Sequence, residues 1–94
     1  MDKAILRSIL GAAEGVTLED GSYQVSEKHR VTFYVGQPGQ AMVISDVASC
    51  SLEDHFVTIV SRETGAAVYV EYESIHALSD RPPAVETSRR AGFV

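Results

Sequence analysis

Hydrophobic positions along the chain follow two different periods. In MDKAILRSILGAAEG (residues 1–15), Ile5, Leu6, Ile9, Leu10 and Ala13 recur at helical spacing, with Lys3, Arg7, Ser8 and Glu14 on the opposite face. This pattern predicts a short amphipathic helix. Asp2 is placed to cap its start, and Gly15 to take the left-handed position just past its end. Gly11 in the interior costs about 1 kcal/mol relative to alanine, so the helix needs a surface to pack on.

Beyond residue 15 the period falls to that of a strand. VTLEDGSYQV reads as a small hairpin, because Asp20-Gly21 accepts positive φ at both turn positions. HRVTFYV (29–35) sets Val31, Phe33 and Val35 on one face and Arg30, Thr32 and Tyr34 on the other. GQPG (36–39) is turn chemistry, QAMVISDV (40–47) the next strand, and ASCSLED an irregular stretch. HFVTIVSR (55–62) and AAVYVEY (66–72) are strands joined by the turn ETG (63–65), and Ile75 and Leu78 complete the apolar set. In VYVEYESIHAL (68–78), alternation buries Val68, Val70 and Tyr72 and presents Tyr69, Glu71 and Glu73.

The pattern stops at DRPPAVETSRRAGFV. Pro82-Pro83 ends regular structure, so the domain is expected over residues 1–79 and a flexible tail over 80–94. One helix followed by four or five short strands predicts a mainly β fold: a small five-stranded, strongly bent antiparallel sheet or barrel with an N-terminal α-helix. Closing the sheet with the helix at one end would remove its open edges.

Composition narrows the functions. Thirteen acidic against eight basic side chains give a net charge of −5, which repels phosphate backbones and anionic membranes. DNA and membrane partners are therefore not expected, and RNA is disfavoured. A single cysteine, Cys50, rules out an intramolecular disulfide or a thiolate metal cluster. No apolar run approaches a membrane span, and the first residues carry no secretory pattern, so a cytoplasmic location is expected.

Few residues carry chemistry. His29, His55 and His76 share no metal-ligand spacing; Asp54-His55 and Glu27 with His29 are the nearest approach to one, and strand-end histidines with backbone or solvent partners are the expected arrangement. Cys50 in ASCS lacks an activating motif, and a buried thiol is expected there. Glu53-Asp54 and Glu19-Asp20 fall in turns, without the apolar pocket that would raise a carboxyl pKa for acid–base work. GQPGQ lacks the continuation of a phosphate-binding loop. Neither catalysis, a cofactor nor a metal is expected. The candidate binding surface is Tyr69, Glu71, Tyr72 and Glu73, joined by Tyr34 if the sheet curls, since tyrosine brings large contact area at low entropic cost. The helix and the terminal Phe93-Val94, beside Arg89-Arg90, offer further surfaces.

The order of elements across residues 3–78 resembles the Sm-like barrel of the Sm/Hfq type. A helix precedes VTFYV, a glycine-bearing turn and QAMVISDV; DHFVTIVS, with Asp54, Phe56 and Val57, precedes AAVYVEYESIHAL, which ends in Ile75. A looser SH3-like barrel accounts for the same order. The Sm-like resemblance implies a ring whose outer strands pair between subunits, often with RNA at a pore. The pore-side Lys-His pair of bacterial members falls on Tyr72-Glu73, so both cationic donors are missing and one is replaced by an acid. The expectation is a non-enzymatic protein-interaction module, a homo-oligomer or the small subunit of a larger assembly. An RNA-binding Sm-like ring is the alternative.

Overall fold

The computed structural model describes residues 1–37 and 39–83, which form one α-helix, eight strands and a 3₁₀ turn. The expected mainly β fold with an N-terminal helix is present. Its strands form two antiparallel sheets rather than one closed barrel: a five-stranded sheet in the order β1-β2-β5-β6-β7 and a three-stranded sheet in the order β4-β3-β8.

Helix α1 (Lys3–Ala12) begins at Asp2, whose carboxylate accepts the Ile5 amide at 2.8 Å, as the sequence predicts. Its end differs from expectation. Ala13 terminates the helix in extended conformation, and Gly15 is needed for another reason, described below. Leu6 and Leu10 form the buried stripe.

Strands β1 (Val16–Glu19) and β2 (Ser22–Val25) make the predicted hairpin, with φ of 50° at Asp20 and 82° at Gly21. This is the doubly left-handed turn that matches strand twist. Strand β3 (Arg30–Val35) alternates as expected and sends Val31, Phe33 and Val35 into the core. It turns back into β4 (Met42–Ile44).

The single strand expected over 40–47 is divided. Asp46 adopts φ 51°, a conformation aspartate tolerates, and the chain leaves β4 in one sheet to enter β5 (Val47–Leu52) in the other. The stretch ASCSLED, expected to be irregular, therefore largely belongs to β5, the middle strand of the larger sheet. Strand β6 (Phe56–Ser61) and β7 (Ala67–Glu71) follow as predicted, linked through Gly65 at φ 75°. Residues Tyr72–Ser74 make the 3₁₀ turn before β8 (Ile75–Arg81), which pairs with β3 along its whole length. Asp80 and Arg81, placed by sequence at the start of the tail, lie in this strand; residues 84–94 of the expected tail lie outside the described residues.

The sheets pack through a core centred on Phe33, Leu6, Leu10, Ile59 and Ile75. Two seams remain where sheet edges meet. Helix α1 covers the first. The Met1 nitrogen donates to the Tyr72 and Ile75 carbonyls at 3.0 and 2.9 Å, the Gly15 amide reaches Asp80 at the far end of β8, and the helix also contacts β1. The helix thus packs against β1, and the residues flanking it, Met1 and Gly15, tie its two ends to β8. The second seam, between β4 and β7, has no such cover among the described residues.

Candidate functional site

The uncovered seam is a shallow groove of about 290 Å³. Val35 and Met42 of the small sheet form one side and Val68, Tyr69, Val70 and Glu71 of β7 the other, with Gly36 and Ser74 at the end. Strand β7 ends the larger sheet and β4 ends the smaller, so each has one edge whose backbone N–H and C=O groups find no ladder partner among the described residues. The apolar side chains beside those edges are unusually open: Tyr69 is 68% exposed and Met42 and Val43 are each 54% exposed. Phe56 on β6 packs its ring edge against Tyr69, with centroids 5.9 Å apart at 75°, and this contact supports the Tyr69 ring on the outer sheet face.

The predicted surface residues separate. Tyr69, Glu71 and Glu73 are exposed on the β7 side as expected. Tyr72 is not part of that surface. Its side chain is buried, and its hydroxyl donates to the Glu53 carbonyl at 2.5 Å. Burial, followed by the nearby Glu53 carboxylate, raises its pKa above the usual tyrosine value. Tyr34 also stands apart, because it faces outward from the other sheet and lines a different cleft with Arg30 and Ser79. The alternation rule places Tyr72 inside, and the sheet division separates Tyr34; only the second was illegible without the fold. Met42, Val35 and Phe56 were not expected at the binding surface from the sequence, because each reads as an ordinary strand residue until both sheet edges are known.

The remaining candidates are accounted for structurally. Cys50 is buried in the middle of the large sheet, and burial pushes its thiol up to about 12, far from a thiolate at neutral pH. The His29 Nδ1–H donates to Asp80 Oδ1 at 2.7 Å, while the Gly15 amide donates to Asp80 Oδ2 at 3.0 Å. Burial raises the Asp80 pKa, but the Gly15 amide and then His29 outweigh it and hold the carboxyl below its ordinary value. His76 Nε2 meets the Gly36 carbonyl, and His55 is exposed. Among the described residues no three His, Cys, Asp or Glu side chains converge as a metal site. Also among them, no helix is long and apolar enough to cross a membrane.

No family model, curated protein or solved structure matches this chain.

Proposed function

We propose that the protein is a non-enzymatic protein-interaction module that associates with a second copy of itself through the open β4–β7 seam. The observation that carries this reading is the juxtaposition of two strand edges, unpaired among the described residues, with Met42, Val68 and Tyr69 around one groove. Strand addition satisfies edge hydrogen bonds and buries flanking side chains together. Antiparallel pairing of two β7 edges about Tyr69 would set Glu71 opposite Ala67 of the second copy, so the acids do not confront each other. The burial of Cys50 supports the non-enzymatic part of the reading. RNA is a weaker candidate, since the position of the Sm-like pore pair carries a buried Tyr72 and an acidic Glu73.

The test is absolute mass by light scattering in dilute solution at physiological salt. A discrete multiple of 10.2 kDa is expected, collapsing to the monomer in a Met42→Glu/Tyr69→Glu variant whose changes lie at exposed positions. A wild-type monomer across the accessible concentration range would overturn the self-association. So would an oligomer indifferent to both substitutions.

A further inference from the structure

The outer face of the small sheet carries an arrangement that the seam does not explain. Register pairs Arg30 with Arg81, Thr32 with Ser79 and Tyr34 with Ala77 across β3 and β8. All six lie on the outward face, since Val31, Phe33 and Val35 point inward. Two arginines are therefore direct cross-strand neighbours on one face, a pairing that is unfavourable unless an anion sits between or beside them. The nearby acid is Asp46, and it is already shared: its Oδ1 lies 3.7 Å from Arg30 Nε and 3.3 Å from Arg62. Arg62 is further committed to the carbonyls of Val25 and Ser26, and one Arg30 nitrogen to those of Glu27 and His29. Among the described residues Arg81 has no ion-pair partner. Arg30 and Arg81 also border a second concavity lined by Lys28 and Glu27, so bases outnumber acids here in a protein whose net charge is −5.

The hydroxyls extend the pattern. Tyr34 leans across toward β8, its oxygen 3.4 Å from Ser79 Oγ, and the small side chain of Ala77 opposite leaves room beside the ring. Arginines, hydroxyls and aromatic ring thus follow one another along a cleft of about 450 Å³, with Ser45 and the arginine-paired Asp46 also in its wall, within the size range of small-ligand sites. We propose that this cleft binds a small phosphomonoester. Arg81 and Arg30 take the phosphoryl group, Ser79 and Thr32 donate to it, and the organic body lies against Tyr34. A phosphoryl dianion suits this pair better than a single carboxylate does, because the Arg81 fork matches two of its oxygens and Arg30, whose Nε and Nη1 are already engaged, offers Nη2 to a third. The protein's overall negative charge opposes a long phosphate backbone, yet acts far less on one phosphoryl group held at short range.

Phenyl phosphate titrated into the ¹⁵N-labelled full chain at constant ionic strength tests the proposal. Saturable amide shifts confined to residues 30–34 and 77–81 are expected, with inorganic phosphate binding more weakly. Arg81→Gln should weaken phenyl phosphate by about tenfold or more, the loss of one charge-assisted contact. Ser79→Ala should weaken it less. Unsaturable shifts spread over the surface, affinity unchanged in Arg81→Gln, or inorganic phosphate binding as tightly as phenyl phosphate would each overturn it. Neither substitution lies in the β4–β7 seam, so this outcome is independent of the self-association test.

Discussion

Gly15 has no Cβ because the His29 side chain stands where one would go: a methyl there would lie 2.3–2.6 Å from its Cγ, Nδ1 and Cβ. The same residue's amide holds Asp80, which in turn holds His29. Gly15→Ala is expected to displace the ring and cost about 1–3 kcal/mol, measured as a drop in urea midpoint with unchanged slope. Asp80 makes a second prediction. Its carboxyl sits below its ordinary value near 3.8, so it favours the folded state above that value and loses this effect as pH falls through the lower folded one. Stability measured between about pH 5 and pH 2 should therefore fall more steeply in the wild type than in Asp80→Asn. Equal slopes would remove Asp80 from the acid response.

Arg62 shows how one side chain organises an element. From the end of the β6–β7 hairpin it donates to the carbonyls of Val25, Ser26, Glu27 and His29 and to Asp46. It thereby fastens the β2–β3 loop to the kink where the chain changes sheets. Arg62→Ala should cost about 2–3 kcal/mol through the loss of charge-assisted bonds, with increased hydrogen exchange confined to residues 25–30 and 45–47. Elements also differ in how readily the sequence discloses them. Helix α1, the Asp20-Gly21 hairpin and strands β3, β6 and β7 are legible because each keeps a clean period. Strands β5 and β8 are not, and the reason is shared. Each carries a register shift, one between Val47 and Ser49 and the other where Val35 meets Ile75 and Tyr34 meets Ala77. The extra residue places inward-facing positions three apart, Val47 and Cys50 in one strand and Ile75 and Leu78 in the other, so the alternation that marks a strand disappears.

For the whole molecule, the two seams set the division of labour. One is covered by α1 and the other is lined by exposed apolar side chains. The sequence showed that the helix needed a surface, but not that its length would serve one seam only. Nor did it show Tyr34 and Tyr69 on opposite sheets, because the change of sheet rests on Ser45-Asp46, two residues that read as part of a strand. The Arg30–Arg81 pairing was hidden for a related reason: the two residues are far apart in sequence, and register alone brings them together. Deleting residues 75–83 should abolish cooperative unfolding altogether. Without β8, β3 loses its partner strand and α1 loses the ties at both of its ends, and a thermal scan followed by circular dichroism would read this directly.

The pairing of β3 with β8 also has a kinetic side. The strand at Arg30–Val35 waits for a neighbour that follows at Ile75–Arg81. During synthesis the hairpins β1–β2 and β3–β4 and the β5–β6–β7 meander can form as their residues emerge, whereas the small sheet and the helix docked on it cannot be completed until β8 has left the ribosome. Closing such a long loop precedes any reward from the contacts it allows, which slows folding. Until that step, β3 is a third open edge carrying Phe33 and Val35, and an exposed apolar edge of this kind favours association of the nascent chain until β8 arrives.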